Sequence, residues 1–219
     1  MTKGTNRNMN ADFYPRWLRA WHWSNAVLFA ALLATGASMH FAEPGAPQVD
    51  FRTARFVHNT AGILLTLGYL IFLVRNTLSG NGRYYLPEGD DLGAGILRQV
   101  RYYLVGIFRG DPHPYHHIPG RKFNPMQKLT YLGLMYLVFP GIVVTGWLMF
   151  FPEKMPERID GLPGAGAVSL AHAIIGYALA LFLVVHIYLG TTGSTPLALF
   201  REMISGAHAE TPGENTPAA

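Results

Sequence analysis

Four of the nine histidines in this 219-residue chain sit inside long apolar stretches. His22 lies in an apolar run over 17–41, His58 in one over 55–75, and His172 and His186 in one over 166–191. Ionisable side chains are costly in such surroundings and point to function. Imidazole is a ligand for haem iron. Two imidazoles facing each other across a haem leave the iron six-coordinate, which suits electron transfer because no site is left for oxygen.

His172 and His186 are fourteen residues apart. On one helix that spacing is about 21 Å of rise and a return to within roughly 40° of the starting direction. Both rings then leave one face, at opposite ends of a span, as two stacked haems require. Depth pairs His22 with His186 near one surface and His58 with His172 near the other. A lone histidine in a span is most often a hydrogen-bonded packing residue. Four, matched two by two in depth, favour bis-histidine haem binding.

Small and basic residues around them fit the same chemistry. Gly36 follows His22 by fourteen residues, while Gly62 and Gly176 follow His58 and His172 by four. A flat porphyrin needs helix surface without a side chain, although small residues also simply let helices pack closely. Arg19 and Arg55 each precede a candidate ligand by three residues and are candidates to pair with haem propionates. For Arg19 a surface anchor explains the position equally well.

The elements that must hold these residues are membrane helices. Half of the chain is hydrophobic and only 14% is charged, against about 25% in ordinary soluble domains. Apolar segments at about 17–41, 55–75, 127–151 and 166–191 approach or exceed the ~20 residues a span needs, so the expected fold is an all-α, integral-membrane four-helix bundle. It occupies 1–206 as one domain, followed by a small, polar, disordered tail over 207–219. Pro140 interrupts the third segment and is tolerated where neighbours satisfy the freed carbonyl. With no cysteine, the chain itself holds no disulfide, iron–sulfur cluster or c-type haem. A net charge of +4 gives no case for nucleic-acid binding.

Basic residues set the orientation. Residues 1–20 carry Lys3, Arg7, Arg16 and Arg19, and Arg83, Arg98, Arg101, Arg109, Arg121 and Lys122 lie in the 76–126 connection. The opposite side has Arg52, Lys154 and Arg158, offset by Glu43, Asp50, Glu153, Glu157 and Asp160. The positive-inside rule therefore puts both termini and the central loop in the cytoplasm. Within that loop Leu92, Ile96, Leu97, Val100, Leu104, Ile107 and Phe108 follow a helical period. They predict either a helix on the membrane surface or one buried under the bundle. His113, His116 and His117 cluster beyond it; a solvated loop or partner contact is the simpler reading, a metal site or proton entry the alternative. His40 and His208 have no evident partner.

At RAWHW (19–23), RFVH (55–58), KFNPMQK (122–128) and AHAIIGYALALFLVVHIY (171–188) the chain resembles the four-helix cytochrome b subunits of membrane-bound respiratory complexes. The formate dehydrogenase gamma subunit and the thiosulfate reductase cytochrome b subunit are the nearest in pattern, over roughly residues 15–207. The di-haem cytochromes of nickel–iron hydrogenases are more distant. The resemblance implies two b haems, the bacterial cytoplasmic (inner) membrane with its lipid, an iron–sulfur partner subunit and a molybdopterin catalytic subunit. It also implies a quinone site (menaquinone or ubiquinone) near the cytoplasmic haem, formed partly by Asn124 and Gln127 with His186 alongside. Asn124 followed by Pro125 is in addition a helix start signal. The proline- and histidine-rich loop 111–120 departs from the family pattern.

These readings converge on a quinone-reactive electron-transfer subunit, with substrate catalysis on another polypeptide. A free-standing di-haem, cytochrome b561-like quinone oxidoreductase is the alternative, as is a hydrogenase-type cytochrome b. A haem-free anchor or transporter would belong to another class altogether.

Overall fold

The structure, a computed structural model, describes residues 14–42, 49–112, 114–115, 123–193 and 195–206. The expectations for His113, His116, His117, His208 and the 207–219 tail lie outside the described residues.

Helices α1 (Arg16–His40), α2 (Phe51–Leu78), α3 (Ala94–Arg101), α4 (Pro125–Phe150), α5 (Gly164–Gly190) and α6 (Ala198–Ser205) follow in chain order. Long uncharged runs favour helices because every backbone polar group is then satisfied within its own segment. α2, α4 and α5 are long and apolar enough to cross a membrane. With 25 residues α1 has the length, but Arg16, Arg19, His22 and Asn25 make its first turns more polar. The helices start one to four residues earlier than the apolar runs, because hydropathy marks the lipid-facing middle of a helix and caps mark its ends.

The chain divides into two compact units, Met1–Gly68 with Gly176–Ala219, and Tyr69–Ile175. In the first, Trp21 Nε1 donates to the Gly68 carbonyl at 2.9 Å and Trp23 Nε1 to the Met203 carbonyl at 3.2 Å. Arg19 donates to the Ile204 carbonyl in the last turn of α6, where a cation complements the exposed C=O groups. Gly206 ends α6 at φ 81°, and a Cβ there would stand 2.8 Å from the Arg19 Cζ. α6 has no counterpart in the sequence reading: eight residues are too few for a periodic signal, and its docking uses backbone carbonyls.

In the second unit α4 starts on a capping box. The Gln127 N–H donates to Asn124 Oδ1 at 2.8 Å and the Asn124 N–H donates to Gln127 Oε1 at 3.0 Å, with Pro125 in the first turn. Farther along, a π turn spans Leu134–Val138, and the Phe139 N–H donates to the Leu134 carbonyl. The Met135 carbonyl thereby loses its α-helical donor, and its π-helical donor would be Pro140, which has no N–H. The Tyr69 hydroxyl on α2 donates to that carbonyl instead. Pro140 is thus accommodated as the sequence requires, by a neighbour that satisfies the freed group. Tyr69→Phe should lower stability by about 1–3 kcal/mol, the cost of an unsatisfied buried acceptor. Thermal unfolding in detergent checks it, and an unchanged curve would mean the carbonyl needs no partner.

The central connection carries two 3₁₀ turns, Asn81–Tyr85 and Gly89–Leu92, followed by α3. α3 continues through a π turn at Tyr102–Gly106 to Ile107–Arg109. Its inward face is Gly95, Gln99 and Gly106, whereas Leu97, Leu104 and Phe108 are 70%, 70% and 83% exposed. The small and polar side faces protein and the leucine row faces away, as a helix lying on a lipid surface requires. The Tyr85 ring stacks on Phe123 at 5.2 Å. Burial pushes its phenol up to about 12. Arg158–Ile159 and Leu162–Pro163 form a short hairpin before α5, turning at Asp160 and Gly161, both with positive φ.

Candidate haem sites

Within the first unit, His22 on α1 and His186 on α5 face one another with ring centres 6.0 Å apart and planes at 50°. Two axial imidazoles on metal–nitrogen bonds of about 2 Å stand roughly 6 Å apart, ring centre to ring centre, so this pair fits an iron between them. Phe182, one turn before His186, stacks on its ring at 5.5 Å and 23°. Trp23 meets His22 edge-on at 5.2 Å. Among the described residues His22 Nδ1 is buried with no hydrogen-bond partner, and so is Asn25 Oδ1 one turn later. Orphaned polar atoms of this kind are rare and mark a place the protein alone does not complete.

The other two histidines each meet a Thr–Gly dipeptide. In the first unit the Thr35 hydroxyl on α1 lies 3.0 Å from His58 Nδ1, and a Cβ on Gly36 would stand 3.3 Å from His58 Cε1. In the second unit the Thr145 hydroxyl on α4 lies 2.9 Å from His172 Nδ1, and a Cβ on Gly146 would stand 3.4 Å from His172 Cε1. The arrangement occurs twice, atom for atom. Gly36 thus lies against the His58 ring. A Cβ on Gly62 or Gly176 would meet nothing within 4 Å. Close helix packing therefore does not explain these two glycines, and open helix surface beside each histidine is what a flat ligand needs.

The basic and amide candidates are placed differently. Arg19 is engaged at the end of α6, while Arg55 is exposed one turn before His58. Asn124 and Gln127 come together in the capping box, which commits both side-chain oxygens. Asn124 is buried and also hydrogen-bonds Tyr103, whose phenol burial raises. Gln127 is half-buried. His40 packs against Tyr177 at 5.8 Å. Among the described residues no group of three or more His, Asp or Glu could hold a bare metal ion.

Sequence reasoning overlooked Thr35, Thr145 and Gly146. The signal was there, since a Thr–Gly pair precedes a His-x-x-x-Gly motif in each half of the chain: 35–36 before 58–62, and 145–146 before 172–176. The match is too short to stand out until the side chains are seen together.

Residues 13–206 match the family model for prokaryotic cytochrome b561. The chain is also 37% identical over 205 residues, 93% of its own length and 77% of the relative's, to the protein named "Putative cytochrome YdhU" in Escherichia coli (strain K12). The coarser part of the sequence resemblance is thereby established: this is a membrane-integral b-haem protein of electron transfer, and the chain belongs to the prokaryotic cytochrome b561 family.

Proposed function

We propose that the chain is a membrane electron carrier with two b haems that exchanges electrons with quinone near the cytoplasmic surface. The His22–His186 pair, with ring centres 6.0 Å apart in a chain of a b-cytochrome family, carries this reading. Pairing of His58 with His172 rests on their depths in the sequence; the Thr–Gly seat of each ring supports their being ligands. Haem, when bound, supplies one-electron chemistry. His22 and His186, and His58 and His172, would hold the haem iron, their apolar helices would exclude water, and the open helix surface at Gly62 and Gly176 would leave room for the ring.

In this reading α1 is the fourth span, both termini are cytoplasmic, and the membrane is the bacterial inner membrane. Gln127 is the residue we assign to a quinone carbonyl, because the capping box uses its oxygen and not its amide N–H groups, whereas Asn124 also hydrogen-bonds Tyr103. The family match fits a free-standing carrier at least as well as a subunit of a larger enzyme. Iron–sulfur and molybdopterin partner subunits are the narrower form of the proposal, and copurification without cross-linking tests them.

The decisive experiment is anaerobic addition of a quinol analogue to the purified protein, followed by reduced-minus-oxidised spectra. Expected are b-type bands that quinol drives, with affinity weakened on the order of tenfold in Gln127→Ala at matched haem content, the loss of one hydrogen bond of about 1–1.5 kcal/mol. Asn124→Ala should instead cost stability of about 1 kcal/mol as a lost cap. A spectrum without b-type bands sinks the haem reading; bands that quinol does not drive remove the quinone.

A further inference from the structure

We propose that Thr35 and Thr145 set the tautomer of His58 and His172, presenting Nε2 to iron and tuning the potential of the haem bound there. This rests on the reading of those histidines as haem ligands. The argument is a count of hydrogens. Each threonine hydroxyl has one hydrogen to give. Thr35 Oγ1 lies 2.6 Å from the Ala31 carbonyl and 3.3 Å from that of Leu32. Thr145 Oγ1 lies 2.8 Å from the Gly141 carbonyl and 3.1 Å from that of Ile142. A carbonyl can only accept, so the hydroxyl hydrogen is committed to the threonine's own helix, four residues back. The contacts of 3.0 Å and 2.9 Å to Nδ1 then place the hydrogen on Nδ1; His58 also hydrogen-bonds the Leu32 backbone, whose carbonyl can only accept and fits the same assignment. Nε2 is left bare, with the lone pair that binds iron.

The glycine after each threonine completes the device. A Cβ on Gly36 or Gly146 would stand 3.3 Å or 3.4 Å from Cε1, so the glycines let the imidazole edge lie against the helix a few tenths of an ångström closer than a Cβ would comfortably allow.

Partners of a ligand's second nitrogen raise its basicity. A hydroxyl accepting from Nδ1–H makes the imidazole a better electron donor and favours the oxidised iron. His22 differs, since its Nδ1 has no partner among the described residues. A haem held by His58 or by His172 is thereby drawn toward lower potential, a pull that the His22 Nδ1 does not receive from any partner among the described residues.

The test uses Thr35→Val, Thr145→Val, the double variant and the corresponding serines in the full-length haem-loaded protein. Readouts are haem stoichiometry, midpoint potentials from a redox titration, and the low-spin EPR signal of each haem. Valine keeps the shape and loses the acceptor. In the double variant we expect both haems to be retained, the midpoint of the haem held by His58 and His172 to rise by about tenfold in the oxidised-to-reduced ratio (about 59 mV for one electron), and that of the haem held by His22 and His186 to stay. Serine should return the wild-type value. Unmoved potential and EPR signal in the valine variants overturn the proposal, as does haem loss that serine fails to restore, which would make the role one of packing. His58→Ala and His172→Ala distinguish the underlying reading: if both variants keep both haems, the ligand assignment itself has failed.

Discussion

Replacing His22 or His186 by alanine should remove one b haem completely and spare much of the other. Both residues project from first-unit segments, one from α1 and one from the end of α5, with ring centres 6.0 Å apart. Under the haem proposal His22 and His186 would both hold the iron, so replacing either would remove one of its two protein ligands, and neighbouring Phe182 and Trp23 offer no replacement. A buried, uncompensated imidazole is then left in an apolar setting, which adds to the loss. The expected result is a haem content falling by half, with either variant losing the same spectral component. His58→Ala and His172→Ala should remove the other component. Should His22→Ala and His172→Ala delete the same component, the pairing by depth is wrong.

Asp91→Ala should destabilise the protein by about 3–5 kcal/mol, because it strands a buried cation. Lys128, in the first turns of α4, is 2% exposed, and its Nζ donates to Asp91 Oδ2 at 2.9 Å. Asp91 is itself 4% exposed and also accepts from the Glu88 N–H at 3.0 Å. A second carboxylate, Glu88, stands 3.9 Å from Nζ on an exposed side chain and compensates little. This pair ties the central connection to the start of α4. Removing one partner therefore costs far more than replacing both with apolar groups, which buried pairs often tolerate. Asp91→Leu with Lys128→Met should recover most of the loss in thermal unfolding. A single Asp91→Ala variant as stable as the parent would show that Lys128 reaches water.

Tyr69→Phe and the capping pair Asn124–Gln127 belong to the same class at smaller magnitude. Tyr69→Phe leaves one neutral acceptor unpaired, about 1–3 kcal/mol, and the capping pair holds two neutral hydrogen bonds, each netting about 0.5–1.5 kcal/mol. Desolvation of a full charge is what separates Asp91 from them.

Three membrane-capable helices were legible in the residues alone. Hydropathy is local and cumulative, so uninterrupted apolar runs announce α2, α4 and α5 without any tertiary information. A histidine in such a run is costly wherever the helix packs, and the fourteen-residue spacing of His172 and His186 follows from helix geometry alone. Asn124 and Pro125 announce the start of α4 for the same local reason.

What only tertiary structure decided are the contacts between residues far apart in the chain. The apolar row of α3 turns away from protein because Gln99 and two glycines make its inward face, a choice its periodicity left open. Arg19 meets α6 because a carbonyl row lies within reach of it, and no pattern in residues 16–40 encodes that. Tyr69 caps a carbonyl 66 positions later, and Thr35 and Thr145 reach histidines 23 and 27 positions away. A hydroxyl's usefulness depends on which hydrogen it has left to give, and that is known only when its helix, its carbonyl and its histidine stand in one place.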